Sequence, residues 1–207
     1  VSENARSLDP KAFEDVVREG VPALDLRPLA LFARGHVQGA ASVPYGRAGF
    51  PDQVLDMMSP GRVLLVDDIP AVTKMARADL EEAGFKVVGV LSGGSRAWEA
   101  SGRTLEVLDQ VTADELWDLV KDVKVIDVRE PYELAQGVIP GAIRIPLNML
   151  PEAVHDLDPA ETHVLVCATG FRSLVAQAYL HRRGLRKVRN LVGGMALWEG
   201  CGYPVER

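Results

Sequence analysis

Val164-Leu165-Val166-Cys167-Ala168-Thr169-Gly170-Phe171-Arg172-Ser173, running on into a helical stretch that stops at Gly184, decides how this chain folds. Val164 to Val166 read as the end of a strand buried on both faces. A short loop, Cys167 to Arg172, follows. From Ser173 the apolar residues Leu174, Val175, Ala178, Tyr179 and Leu180 recur at helical spacing, and Gly184 supplies the C-terminal stop. Open α/β sheets bind ligands where a strand ends and a helix begins. The dipole and free amides of the helix start favour an anionic sulfur on Cys167, and Arg172 adds positive charge. Most free cysteines are small core hydrophobes, and position alone does not separate the two readings. Loop composition does: Gly170 lets backbone approach a bound atom, and Arg172 is costly to bury without an anionic partner.

The rest of the chain sets the frame. At 207 residues it is long enough for two domains of about 100 each. Hydrophobic residues make up 47% and charged residues 25%, an ordinary globular balance. A net charge of −6 and a pI near 5.3 argue against nucleic acid as a partner. No apolar run is long enough to span a membrane, and the polar start is no signal peptide, so the cytoplasm is the expected location. Val1 rather than Met leaves open a processed start or a piece of a longer protein.

An internal repeat settles the organisation. Leu91-Ser92-Gly93-Gly94-Ser95-Arg96-Ala97-Trp98-Glu99 lies 100 positions before Leu191-Val192-Gly193-Gly194-Met195-Ala196-Leu197-Trp198-Glu199. Leu65-Val66-Asp67 falls on Leu165-Val166-Cys167 at the same offset, and Gly84 on Gly184. Upstream the offset becomes 102, with Asp25-Leu26-Arg27 on Asp127-Val128-Arg129 and Gly39-Ala40 on Gly141-Ala142. A two-residue insertion or deletion therefore lies between Pro44 and Arg62. The predicted fold class is α/β, in two similar domains over 1–103 and 104–207, each a small parallel sheet with helices on both faces. Asp9-Pro10 and a Thr112/Glu115 capping box open the first helices. Strands are predicted at 23–26, 41–43, 63–66 and 87–90, and again at 123–128, 142–145, 164–166 and 188–191.

Cys-Ala-Thr-Gly-Phe-Arg-Ser, with Asp127-Val128-Arg129-Glu130 and Gly137-Val138-Ile139-Pro140-Gly141-Ala142 ahead of it and Leu191-Val192-Gly193-Gly194 and Trp198 behind, resembles the active-site region of the rhodanese (sulfurtransferase) family. The resemblance covers nearly all of residues 107–207 and implies a sulfurtransferase with Cys167 as nucleophile. Ala168, Thr169, Gly170, Phe171, Arg172 and Ser173 then form the substrate loop, its amides stabilising an anionic persulfide sulfur as an oxyanion hole stabilises oxygen. Arg172 orients a small anionic donor such as thiosulfate, Phe171 gives a nonpolar rim, and a thiol or cyanide-like acceptor takes the sulfur. A protein acceptor defines the alternative, a sulfur carrier. No metal and no organic cofactor is implied, and no membrane partner. Same-fold phosphatases place one residue more between Cys and Arg, making room for phosphate.

Tandem members of the family tend to pair an inactive first domain with an active second. Here Asp67-Asp68-Ile69-Pro70-Ala71-Val72-Thr73 occupies the place of Cys167–Ser173. A carboxylate replaces the nucleophile, Pro70 removes an amide and Val72 removes the cation. The two-domain enzymes usually carry a Cys-x-x-Gly-Val-Thr loop instead, so the donor stays open between thiosulfate, mercaptopyruvate and others.

The remaining candidates read as structure. Asp127 and Arg129 point to one face and recur as Asp25 and Arg27 in the half without the cysteine, which makes them a supporting pair. Gly193-Gly194 is a strand-to-helix turn, and Trp98 and Trp198 are core anchors. His36, His155, His163 and His181 lack metal-ligand spacing. The basic run from His181 to Arg189 is a solvated helix end or a docking patch for an acidic partner. Cys201, past the last helix, is inert or resolving.

Overall fold

The computed structural model describes residues 6–46 and 49–207; the processed-start question at Val1 lies outside them. The chain divides between Val107 and Leu108. Glu106 belongs to the first unit because its backbone exchanges two hydrogen bonds with His36.

The first unit runs β1 (Arg6–Leu8), α1 (Pro10–Arg18), β2 (Ala23–Asp25), α2 (Leu29–Arg34), β3 (Ala41–Ser42), α3 (Phe50–Met57), β4 (Arg62–Val66), α4 (Pro70–Glu82), β5 (Lys86–Leu91) and α5 (Gly94–Ala100). Its five strands are all parallel, in the order β1-β5-β4-β2-β3. The second unit runs β6 (Gln110–Val111), α6 (Ala113–Leu119), β7 (Lys124–Asp127), α7 (Pro131–Leu134), β8 (Ile143–Arg144), α8 (Leu150–Ala153), β9 (His163–Val166), α9 (Phe171–Arg182), β10 (Val188–Leu191) and α10 (Gly194–Gly200). Its order, β6-β10-β9-β7-β8, is the same and again parallel. The fold class is the expected one, α/β twice over.

Local chemistry starts α1 and α6 where the sequence places their starts. Asp9 accepts the Ala12 amide at 2.8 Å, with Pro10 opening α1. Both arms of the Thr112/Glu115 capping box form, at 2.8 and 3.3 Å. Register carries the repeat into space: Leu24 pairs with Leu65, and Ile126 with Leu165. Between those strands α3 has eight residues, while the second unit has the four-residue α8 flanked by single 3-10 turns at Leu147–Met149 and Val154–Asp156. The length difference falls there.

Two expectations need correction. β1 and β6 were not predicted; they are three- and two-residue edge strands, too short to show an alternation. Helix α9 begins at Phe171, not Ser173, because Gly170 turns left-handed (φ 86°) and caps it. The loop proper is therefore Cys167–Gly170, and Arg172 and Ser173 stand in the first helical turn.

Burial explains the rest. β9 is buried along its whole length, and Ile126, Val128, Leu165, Leu180 and Val188 pack with Cys167 in one core cluster. Trp98 and Trp198 are buried anchors, and each indole N–H donates to a backbone carbonyl six residues on, Thr104 or Pro204. Among the described residues no helix is long and apolar enough to cross a membrane.

Candidate active site

Cys167 follows the last residue of β9 and is 1% exposed within the core cluster. Burial alone fits a packing cysteine. Two polar groups at the sulfur do not. The Gly170 amide donates to Sγ at 3.2 Å, and Ser173 Oγ lies 3.3 Å from it. A sulfur held by a backbone amide at a helix start is where negative charge is best tolerated.

The turn behind the loop keeps it in shape. The carbonyls of Cys167 and Ala168 accept the Met195 and Ala196 amides at 2.8 and 3.0 Å, so α10 holds both peptide oxygens on its own side. Gly194 makes that approach: at φ 56°, an added Cβ would overlap the Cys167 carbonyl oxygen and lie 2.8 Å from the Gly170 nitrogen. The Gly-Gly pair is a structural turn, as its spacing indicates, and its product is the shape of the Cys167 loop. Thr169 is exposed, while Ala168 and Phe171 are half-buried.

Ser173 is engaged twice. Its hydroxyl donates to Asn190 Oδ1 at 2.6 Å, and Asn190 Nδ2 donates to Gln110 Oε1 at 3.4 Å. One hydroxyl hydrogen serves one acceptor at a time, and the shorter bond to Asn190 holds it in the structure.

Arg172 has an anionic partner in the protein itself. Nη1 and Nη2 donate to the two carboxylate oxygens of Glu133, both at 2.6 Å. Glu133 sits in α7, where its Oε2 also accepts the Glu130 amide at 3.1 Å. Arg172's bonds hold the Glu133 carboxyl below the usual glutamate range, and Glu133 in turn raises Arg172 above the ordinary guanidinium value. The Cys167 sulfur and Tyr132 add to that rise.

Asp127 and Arg129 pair through buried bonds of 2.7 to 3.0 Å, and Arg129 Nη2 also donates to the Gly137 carbonyl at 2.6 Å. Arg129 Nη1 reaches the Glu133 carbonyl at 3.4 Å. The pair thus braces α7, one step away from Arg172. Cys201 is exposed and free, capping α10.

The first unit's matching loop is built differently. Asp67 Oδ1 accepts the Ile69 amide at 2.7 Å, and burial pushes its carboxyl up against that pull. Helix α4 starts at Pro70 itself. Pro70 matches Gly170, so the amide missing there is the one that reaches sulfur in the second unit.

The histidines stay away from the site chemistry. His36 stacks on Phe32 at 3.7 Å, and burial lowers both His163 and His181. Arg183 lies 3.6 Å over the Tyr179 ring, which uses part of the basic run. Among the described residues no three His, Cys, Asp or Glu side chains are grouped to hold a metal.

Glu133, Asn190 and Gln110 were not singled out from the sequence. The repeat held a signal for two of them: Leu31 stands at the position of Glu133, and Val90 at that of Asn190. A hydrogen-bonding polar residue in one half, replaced by an apolar one in the other, marks what the cysteine-bearing half adds.

Comparison with known proteins matches this arrangement. The family model for the rhodanese-like domain matches residues 9–101 and again 112–201. A sulfurtransferase of Allochromatium vinosum is 37% identical over 100 residues, covering 48% of this chain and 89% of its own length. The thiosulfate sulfurtransferase GlpE of Stutzerimonas stutzeri is 32% identical over 80 residues, 39% of this chain and 72% of that protein. The putative sulfur carrier protein YrkF of Bacillus subtilis is 27% identical over 157 residues, 69% and 83% of the two chains. With the family pattern matched over both halves and the same five-stranded sheet built twice, the chain belongs to the rhodanese family as a tandem of two rhodanese-like domains.

Proposed function

We propose that this protein is a sulfurtransferase that moves a sulfane sulfur from a donor such as thiosulfate to a thiophilic acceptor through a persulfide on Cys167. The observation that carries the reading is the Gly170 amide donating to Sγ at the start of α9, with the Ser173 hydroxyl 3.3 Å from the same sulfur. The Cys167 thiolate attacks the donor's outer sulfur, the sulfur–sulfur bond of thiosulfate breaks, and sulfite leaves with the bonding pair. Cys167 then carries an anionic outer sulfur, about 2 Å beyond Sγ. That sulfur is better placed than the buried Sγ to meet an acceptor, which attacks it and restores the thiolate. Ala168, Thr169, Gly170, Phe171, Arg172 and Ser173 form the donor-binding loop, with Asp127 and Arg129 bracing it through α7. The first domain is inactive, since Asp67, Pro70 and Val72 replace nucleophile, amide and cation.

Two half-reactions through one covalent intermediate give ping-pong kinetics. The test is initial-rate kinetics with thiosulfate and cyanide on the wild type, Cys167→Ser and Cys201→Ser. Parallel double-reciprocal lines, abolished by Cys167→Ser and retained in Cys201→Ser, support the reading. Equal loss in both variants means that two cysteines act together and contradicts it. The likeness to a putative sulfur carrier supports a second reading, in which the acceptor is a protein. Both readings need the Cys167 persulfide.

A further inference from the structure

The two domains are a control for one another. Each keeps a buried carboxylate–guanidinium pair, Asp25–Arg27 and Asp127–Arg129, and each Arg donates Nη2 to the carbonyl eight residues on, Gly35 or Gly137. A contact that both keep belongs to the fold. The Glu133–Arg172 pair is not kept. Leu31 stands at the position of Glu133 in α2, 44% exposed, and Val72 at the position of Arg172 in α4. Both members are apolar together, although 39 residues separate Glu133 from Arg172, and α2 and α4 form without them. The pair goes with the cysteine, not with the sheet.

Its geometry shows what it does to charge. Arg172 stands in the first turn of α9, where the helix dipole disfavours a cation. Glu133 offsets this through two parallel bonds, the strongest arrangement a guanidinium makes. The carboxylate is fixed in turn by the Glu130 amide within α7's capping box. The side chains are 31% and 15% exposed, so water reaches the pair without dissolving it. An anion arriving at Cys167 therefore meets a compensated cation with a carboxylate beside it.

We propose that Glu133 is a specificity-determining residue of this site: by neutralising Arg172 it selects against sulfur donors carrying two negative charges and in favour of donors carrying one or none. The inference rests on the persulfide reading of Cys167. Thiosulfate, a dianion, loses sulfite when Cys167 takes its outer sulfur. The methanethiosulfonate anion, CH3SO2S−, loses methanesulfinate in the same step and carries half the charge. Repulsion by Glu133 scales with donor charge, so removing it helps the dianion more.

The experiment uses the full chain as wild type, Glu133→Gln and Glu133→Leu, the second copying the residue that α2 carries. KM and kcat are measured for both donors with cyanide as acceptor, and Cys167 is checked for the added mass of one sulfur atom. Glu133→Gln is expected to lower KM for thiosulfate about tenfold and for methanethiosulfonate about threefold, with Glu133→Leu in the same direction, since charge effects at a part-exposed site are of this order. A residue that only props up the loop would change kcat for both donors alike and leave the KM ratio where it was. That result, or a rise in the thiosulfate KM, overturns the proposal while the sulfur adduct on Cys167 still forms. No adduct with either donor in the wild type overturns the persulfide reading first, and the two failures are told apart by that mass.

Discussion

The Gly170 amide donates to Cys167 Sγ across 3.2 Å, and the matching residue of the first domain, Pro70, has no amide hydrogen to donate. Restoring a thiol there does not restore what stabilises it. In a Cys167→Ser background, Asp67→Cys is expected to stay nearly inactive. Adding Pro70→Gly and Val72→Arg, with Leu31→Glu to pair the new cation, should recover detectable persulfide, because each change returns a group that the second domain uses. Labelled-sulfur incorporation, with folding checked by thermal melting, reads the outcome. Full transfer by Asp67→Cys alone would mean that the nucleophile is all that separates the domains.

Ser173 is the other polar neighbour of the sulfur, and its removal should cost rate rather than fold. Ser173→Ala is expected to slow persulfide formation about tenfold, because the hydroxyl that bonds Asn190 in the resting site turns to the sulfur once it is anionic, a hydrogen bond to a charged group. Stopped-flow mixing with thiosulfate measures the first half-reaction directly. An unchanged rate would assign Ser173 wholly to Asn190.

Gly194 carries the close approach behind the loop. Gly194→Ala forces a side chain into left-handed backbone and against the Cys167 peptide. Destabilisation of about 3 kcal/mol is expected from strain and overpacking together. Gly94→Ala should destabilise the first domain similarly, since its added Cβ meets Asp67 and Asp68 backbone within 2.9 Å. Denaturant unfolding of the two variants checks both, and sulfur transfer should fall only in Gly194→Ala.

The Glu133–Arg172 pair gives a pH dependence with a defined sign. Glu133 titrates below its ordinary value of 4.5 in the folded protein because Arg172 binds its charged form. Its contribution is therefore present above the unfolded value and is lost as pH falls through the lowered one. Wild type should melt higher than Glu133→Gln at pH 7, and the gap should close on acidification below the usual glutamate range. A gap that widens with acid would show that the carboxyl is stabilised in its neutral form.

Much of this was legible in the residues. Buried parallel strands are continuous apolar runs, so β4 and β9 stand out, and the 100- and 102-residue offsets mark the duplication in the sequence itself. The Cys167 loop was legible because strand end, glycine, arginine and helix start fall together. Helix α9's true start was not, since a left-handed glycine cap leaves no mark on apolar periodicity. Glu133 was hidden for another reason. It lies on a one-turn helix after β7, and only the adjacency of β7 and β9 in the sheet brings their carboxyl ends, and so Glu133 and Arg172, together. Sheet order is a tertiary fact, although the paired Leu31 and Val72 recorded its consequence in the sequence.

The account stands on a persulfide at Cys167, and intact-mass analysis after incubation with thiosulfate tests it most directly. The wild type and Cys201→Ser are expected to gain the mass of one sulfur atom and to lose it on cyanide challenge, while Cys167→Ser gains nothing. A sulfur adduct that forms in Cys167→Ser, or that is absent from the wild type while sulfur is still transferred, would contradict the account.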